Sequence, residues 1–231
     1  PLILGTATRP SINIGEMKNT GFDLELGYSN GALNGDLIYS ADLVFSRYKN
    51  ELVKLTDVSA DFYQGAGYRE KYYTRTQTGR AFPEFFGYIV EGIFLDQAEV
   101  DGWPKAFGAT GTYNKPGHFK YKDVDGNGYI DAADRTYIGS PHPDFTAGLS
   151  LNVAYKGISL SATLYASVGN DVVNYVSRFI DYTQFESGKS HRRLYESWGS
   201  PYLANNADAT MPVILANDTP HQEPSTAFLE D

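Results

Sequence analysis

The sequence predicts an all-β fold built from antiparallel hairpins, and three observations lead to that prediction. Residues 145–168 alternate between apolar and mostly small or polar side chains, and the parity of the alternation changes at Lys156 and Gly157. Residues 20–48 alternate in the same way, with carboxylates on one side. The composition contributes 18 Tyr and 23 Gly among 231 residues, which suits strands and turns better than helices.

For the hairpin at 145–168 the sequence predicts both the ends of the two strands and which residues pair across them. Odd positions are apolar in the first arm, 145–155, and even positions are apolar in the second arm, 158–168. A two-residue loop at Lys156–Gly157 requires this change of parity, because directly paired residues share a face of the sheet. Each arm has eleven uncharged residues, the length of a tilted strand that crosses a bilayer.

The hairpin at 20–48 is predicted to have one apolar and one acidic face. Turn-forming residues at 29–32 predict a four-residue loop, which pairs Tyr28 with Leu33. The acidic face needs water, either in the lumen of a barrel or outside a sandwich. Its predicted carboxylates are Asp23, Glu25, Asp36 and Asp42.

The alternation alone leaves two architectures open. In an outer-membrane barrel the apolar face contacts lipid and carries aromatic residues at both ends. In a soluble β-sandwich a second sheet covers the same face. The discriminating side chains, exposed in the first architecture and buried in the second, are Leu149, Leu151, Leu160 and Leu164.

Residues 49–143 and 170–224 are predicted to be long loops on one side of the sheet, opposite the short turns of both hairpins. Glycine, proline and aromatic residues replace the alternation there, and a helical stretch is predicted near 178–198. A long ordered loop needs a small core of its own, so its aromatic side chains are predicted to pack that core rather than to stack on sugars. They include Tyr63, Tyr68, Phe85, Tyr88, Trp103 and Tyr113.

Several functional classes are disfavoured by composition and motifs. The chain has no cysteine, which removes thiolate nucleophiles and zinc–thiolate sites. A net charge of -9 without a basic run argues against nucleic-acid binding. No nucleophile-elbow, P-loop or dinucleotide motif occurs, so no enzymatic activity is expected. The four histidines are isolated in sequence; His142 is predicted in a rigid turn, and surface positions are predicted for His118, His191 and His221.

An acidic segment at 123–134 has the spacing of a calcium-binding loop. Oxygen donors fall at positions 1, 3, 5, 9 and 12, glycine occupies position 6, and Ile130 at position 8 is expected to anchor the loop. Position 12 is Asp where the motif has Glu, and the alternative is an acidic turn without a metal. The predicted structural Ca²⁺ ligands are Asp123, Asp125, Asn127, the Tyr129 carbonyl, Asp131 and Asp134.

Six segments in the same order carry a resemblance to a known family. They are TRTQTGR (74–80), FFGY (85–88), EGIF (91–94), PGHFKYKDVDGNGYID (116–131), DRTYIGSPHPDF (134–145) and GNDVVN (169–174). Together they resemble the C-terminal part of SusC/RagA-type TonB-dependent transporters of Bacteroidetes. The resemblance covers nearly the whole chain, and the segment at 134–145 is its most specific part.

This resemblance implies that residues 1–231 form part of a large antiparallel transmembrane β-barrel with long extracellular loops, in the outer membrane of a Gram-negative cell. A complete barrel of this type has about 22 strands and a plugged lumen. The four to six strands expected here cannot close it, and the plug domain is expected to lie outside this chain. The implied partners are a SusD-like surface lipoprotein, TonB through the missing N-terminal region, outer-membrane lipid, and an oligosaccharide or peptide substrate. The alternative to this importer is a soluble, calcium-stabilised β-sandwich that binds carbohydrate at its surface.

Overall fold

A computed structural model describes residues 15–30, 36–55, 62–65, 67, 71–107, 113–182, 189–215 and 220–231. Most regular structure in these residues is β-strand. The strands are β1 (Gly15–Ser29), β2 (Leu37–Leu55), β3 (Phe62–Gln64), β4 (Thr74–Gln77), β5 (Glu84–Gly87), β6 (Val90–Ile93), β7 (Lys105–Ala106), β8 (Phe119–Tyr121), β9 (Tyr129–Ile130), β10 (Thr136–Gly139), β11 (Phe145–Tyr155), β12 (Ile158–Val168), β13 (Val172–Val173) and β14 (Leu229–Glu230). The α-helical segments are α1 (Gln97–Asp101), α2 (Tyr175–Ser177) and α3 (Arg192–Tyr195).

Four long strands form one sheet in the order β1-β2-β11-β12, and every neighbouring pair is antiparallel. Both predicted hairpins are therefore present. β2 pairs directly with β11, so the chain between them leaves and re-enters the sheet at the same end. Within the described residues β1 and β12 are the two open edges, and these strands do not close a barrel.

The register predicted for the second hairpin is confirmed. Tyr155 lies opposite Ile158, with Lys156 and Gly157 as the only loop residues. Both loop residues have positive φ, 46° and 86°, as in the type I′ turn whose twist matches that of the flanking strands.

The register predicted for the first hairpin is wrong. Tyr28 lies opposite Ala41 instead of Leu33, and Ser29 is still in β1. Pairing continues as far as Asn30, whose side chain accepts from the Tyr39 amide at 2.6 Å. Because the error is an even number of residues, the side chains still lie on the predicted faces. Residues 31–35, which include the expected loop partner, lie outside the described part of the chain.

β2 also runs seven residues beyond the predicted end of its hairpin at 48, to Leu55. The buried Leu52 exchanges backbone hydrogen bonds with the loop: its amide donates to the Arg80 carbonyl and its carbonyl accepts from the Gly79 amide, both at 2.8 Å. The segment at 79–80 therefore bonds to the part of β2 that extends beyond its pairing with β11.

The two long connections fold into a body of small sheets. One has the order β10-β5-β4-β3, and the pairs β6–β8, β7–β9 and β13–β14 form three more. The predicted packing role is confirmed for Tyr88 and Tyr113, which are buried, while Phe85 and Trp103 are half-buried. Tyr68 and the Tyr63 side chain lie outside what the structure describes. The buried core of this body consists of Tyr88, Ala106, Tyr113, Phe119, Tyr121, Ile130, Tyr182, Met211 and Phe228.

The continuous helix expected near 178–198 is not found in the described residues there. A π-helical turn at Arg178–Tyr182 follows α2, and α3 has four residues. Asn174 caps α2 by accepting from the Ser177 amide at 3.0 Å. Among the described residues, no helix has the length and apolar character needed to cross a membrane.

Candidate functional site

One face of the four-stranded sheet is apolar and is not covered by protein in the described part of the chain. This apolar face comprises alternate residues of β1 from 22 to 28, of β2 from 37 to 45, of β11 from 145 to 155 and of β12 from 158 to 168. On the edge strand β12, the side chains of Leu160 and Leu164 are 70% and 55% exposed. Leu149, on the inner strand β11, is half-buried between its neighbours. No second sheet formed by the described residues covers these side chains, as a sandwich would require.

Aromatic rings bound the apolar face at both ends. At the loop end Phe22, Phe45 and Phe145 form a stacked row, with centroid separations of 5.8 and 5.3 Å. We call this the loop-side aromatic row. At the turn end Tyr28 packs on Tyr39 at 5.8 Å, and Tyr155 lies at the same end of the sheet.

The length of β11 matches the thickness of a membrane. Its eleven residues extend from one aromatic end to the other, about 33 Å along the strand at about 3.3 Å per residue. A tilt of about 40° reduces this to about 25 Å, the height of the apolar band of outer-membrane barrels.

The opposite face of the sheet is mostly polar, with Ile38, Val44 and Tyr165 as exceptions. The Ser46 hydroxyl donates to Asp23, and the Asn152 amide donates to the Ser40 hydroxyl at 3.2 Å. Asp36 lies at the turn end, one residue before β2, and pairs with Lys156 at 3.5 Å.

The acidic loop brings together three of its four predicted carboxylate ligands. One carboxylate oxygen from each of Asp123, Asp125 and Asp134 lies within 4.8 Å of the others. Asp134 is fully buried, and its two oxygens accept from the amides of Val124 and Asp131 at 2.7 and 2.8 Å. This residue therefore ties the two ends of the loop together in addition to facing the other carboxylates.

The remaining predicted ligands have other positions or partners. Asp131 lies outside the three-carboxylate group and caps a 3₁₀ turn by accepting from the Ala133 amide at 2.7 Å. The Asn127 side-chain oxygen accepts from the Tyr129 amide at 2.7 Å. Since the β7–β9 pair uses the carbonyls on either side of Tyr129, the Tyr129 carbonyl points to the other edge of its strand.

Backbone amides stabilise the negative charge at the start of the loop. The Asp123 carboxylate accepts from the amides of Gly128 and Gly126 at 2.8 and 2.7 Å, and these bonds lower its pKa. Both glycines have positive φ and open space around them. Three carboxylates gathered in this way repel one another, and a divalent cation with oxygen ligands would relieve that repulsion.

The loop is fixed to the body beneath it by Ile130, as expected. Its side chain is 0% exposed and belongs to the aromatic core, and β9 pairs with β7 in parallel. The carboxylates are therefore held on a packed scaffold.

Sequence reasoning missed a pair of buried histidines. His118 and His221 were expected at the surface, but their rings lie 4.8 Å apart and pack against Tyr113. They are 7% and 0% exposed. No local pattern brings together two residues separated by about a hundred positions. Asp171, which follows β12, accepts from the Ser140 amide at 2.6 Å and so holds the loop at Ser140 in place.

The chain is similar to parts of longer receptors. It is 34% identical over 168 residues to TonB-dependent receptor P3 of Formosa agariphila, a match that covers 71% of this chain and 16% of that protein. It is 26% identical over 226 residues to TonB-dependent receptor P26 of the same species, covering 95% of this chain and 21% of that protein. TonB-dependent receptor SusC of Bacteroides thetaiotaomicron is 26% identical over 161 residues. No protein-family model matches the chain.

Solved structures support the same assignment at the level of fold. A structure of the RagAB peptide transporter superposes with a TM-score of 0.63 at 21% identity, and the match covers 94% of this chain and 21% of that one. The "open-open" state of the RagAB peptide importer gives 0.60 at 23% identity. The relatives are receptors and transporters, and this chain spans about a fifth of their length or less. The chain therefore belongs to the TonB-dependent receptors of the SusC/RagA type, of which it represents a part.

Proposed function

We propose that this chain is a barrel-and-loop portion of a TonB-dependent, SusC-like importer in the outer membrane of a Gram-negative cell. The observation that carries the proposal is the exposed apolar face bounded by aromatic rings at both ends. In water such a face would be a large aggregation-prone surface, whereas lipid is the solvent in which it is stable. The open edges β1 and β12 would pair with further strands of the receptor, because an unpaired sheet edge is not tolerated within a bilayer.

In the proposed orientation, residues 49–143 and 170–224 are extracellular. Outer-membrane barrels place short turns in the periplasm and long loops outside. The two-residue turn at Lys156–Gly157 and the body formed by the long connections lie at opposite ends of the sheet. The polar face then lines the water-filled interior of the barrel.

The proposed cargo is a glycan or a peptide, taken up with a SusD-like lipoprotein over the extracellular mouth and with energy transmitted by TonB. The relationship to TonB-dependent receptors, SusC among them, supports this assignment. The superposed RagAB structures are described as a peptide transporter and importer. Uptake by the full-length receptor, with and without its neighbouring lipoprotein, would test the cargo class with labelled oligosaccharides and peptides.

The lipid assignment is tested with two neighbouring positions of β12. Spin labels on cysteines replacing Leu160 and Ser161 in the full-length receptor sample opposite faces of one strand. We expect oxygen dissolved in lipid to relax the label at 160 and a water-soluble nickel chelate to relax the label at 161. If the nickel chelate reaches both labels equally, the apolar face does not contact lipid.

We further propose that the loop at 123–134 binds one structural Ca²⁺. The carboxylates of Asp123, Asp125 and Asp134 would hold it, with Asn127 and the Tyr129 carbonyl as further oxygen ligands and Asp131 within reach of a bridging water. The group of three carboxylates supports this fit. When bound, the ion would cross-link the loop and neutralise its charge.

Calcium binding is tested by exchange protection of the loop. Addition of Ca²⁺ to metal-free receptor is expected to slow hydrogen exchange at 123–134 and to have little effect in Asp125→Asn. Asp101→Asn is the matched control, since Asp101 is an exposed carboxylate on α1 that accepts from Gln97. Equal responses of the wild type and Asp125→Asn would contradict a site in this loop.

A further inference from the structure

Two cations lie at the loop end of the apolar face, one level with the loop-side aromatic row and one beyond it. Arg47 lies opposite Phe22, and Lys49 follows two residues later opposite Thr20, so all four side chains share the outer face. Arg47 and Lys49 are exposed. Arg47 is thus level with the aromatic residues and Lys49 lies one pair beyond them, and in an outer-membrane strand the aromatic residues mark the interface with the lipid headgroups.

On the face of these two cations the next pair outward is Lys18 opposite Glu51, so the carboxylate that follows Lys49 along β2 also has a cation opposite it. At the turn end Lys156 has Asp36 as its partner, at 3.5 Å. Arg47 and Lys49 have no comparable carboxylate partner among the ion pairs of the described residues, although the chain as a whole carries a net charge of -9.

A cavity of about 650 Å³ opens beside the two cations. The sheet contributes Phe22, Arg47 and Lys49 to its lining, and the loops contribute Arg80 and His142. Two carboxylates, Glu84 and Asp144, also line it, but Glu84 is held by Arg80 through two hydrogen bonds. The cavity therefore combines two available cations and one remaining carboxylate with an aromatic surface.

We infer that this cavity binds the phosphorylated headgroup of an outer-leaflet lipid, with its acyl chains lying along the apolar face. A guanidinium binds a phosphate through two parallel hydrogen bonds, and an ammonium adds a point charge. Side chains two residues apart on one face are about 7 Å apart, so both groups can reach one phosphorylated headgroup. The inference rests on the proposed function, since it requires the apolar face to lie in the membrane.

The test compares lipid retention by the full-length receptor in detergent micelles. Micelles contain either a bisphosphorylated lipid A or the same lipid after phosphatase treatment, and bound lipid is measured by native mass spectrometry. We expect the wild type to prefer the phosphorylated lipid, and Arg47→Gln/Lys49→Gln to lose about fivefold in retention per cation removed. Lys156→Gln, which removes a cation at the opposite end, is expected to retain the wild-type preference.

Two results would overturn the inference. One is equal retention of the phosphorylated lipid by the double variant and the wild type. The other is complete displacement of the lipid by millimolar inorganic phosphate, which would identify a site for a free anion. Both are measured on receptor that is folded and fractionates with the outer membrane. Two other results would contradict the proposed function itself: a receptor that is absent from the outer-membrane fraction, or a spin label at position 160 that the water-soluble nickel chelate relaxes as strongly as the label at 161.

Discussion

Phe45 stacks on Phe145 of the neighbouring strand, with their ring centroids 5.3 Å apart, at the loop end of the apolar face. Aromatic rings in the loop body behave differently: Tyr121, for example, is 1% exposed and packs edge-on against Tyr88 at 5.4 Å. The chain thus uses aromatic residues in two ways. Those at the two ends of the apolar face mark its boundary, and the buried ones of the loop body form a core shielded from water.

A charge on the apolar face is expected to destabilise the receptor in lipid. Leu151→Arg places a guanidinium near the middle of the band, at a cost of about 2–4 kcal/mol. Asn152→Arg is the control, since Asn152 is the next residue of the same strand and faces the polar side. Unfolding free energies in lipid vesicles would measure both. Equal losses for the two variants would argue against contact of Leu151 with lipid.

The two-residue turn is expected to depend on Gly157. Its φ is 86° and no atom lies within 4 Å of the point where a Cβ would sit, so Gly157→Ala would act through the backbone alone. An L-residue in this conformation costs about 1–2 kcal/mol. Gly148→Ala, inside β11 with ordinary φ and its nearest atom 4.0 Å away, is expected to be neutral or slightly stabilising. Free energies of unfolding from refolding equilibria would measure the stability of both variants. A loss for Gly148→Ala as large as that for Gly157→Ala would contradict this prediction.

Ile130 is expected to link the acidic loop to the aromatic core. Ile130→Ala removes a fully buried side chain and should lower stability by about 2–5 kcal/mol. Hydrogen exchange should accelerate both at 123–134 and at β8. Val124→Ala, which trims a side chain that is 43% exposed in the same loop, should change stability by less than about 0.5 kcal/mol. Faster exchange confined to 123–134 would show that the loop is not coupled to the core.

The segment around α3 is expected to loosen in acid. The Thr210 hydroxyl and Arg192 both donate to the Glu196 carboxylate, at 2.6 and 2.9 Å, and these bonds lower its pKa. A depressed folded-state pKa stabilises the fold above the unfolded-state value of about 4.5, and this stabilisation is lost as pH falls through the folded-state value.

Hydrogen exchange at α3 measures this effect. The amides of Thr210 and Met211 donate to the Glu196 carbonyl, and their protection factors should decrease as the pH falls below about 4.5. In Glu196→Gln the protection factors should vary little over this range. A pH dependence unchanged by the substitution would assign the effect to another group.

Residue pattern alone was sufficient for the faces of the sheet and for the second hairpin. Alternation assigns each side chain to a face whatever the partner strand, and the Lys156–Gly157 turn leaves room for only one register. The first hairpin lacked such a constraint. Its turn-forming residues at 29–32 were compatible with a short loop, but pairing through Asn30 opposite Tyr39 shifted the register by eight positions.

For the acidic loop at 123–134, too, sequence determined one part of the site and tertiary structure the other. Sequence spacing identified the oxygen donors, because a loop that curls around a cation needs them at regular intervals. Only the tertiary structure separated Asp131, which caps a 3₁₀ turn, from the three carboxylates that come together. It also brought His118 beside His221 and aligned Arg47 and Lys49 with the loop-side aromatic row. Local pattern determines which way a side chain faces, whereas its neighbours depend on contacts between distant segments, which no short stretch of sequence encodes.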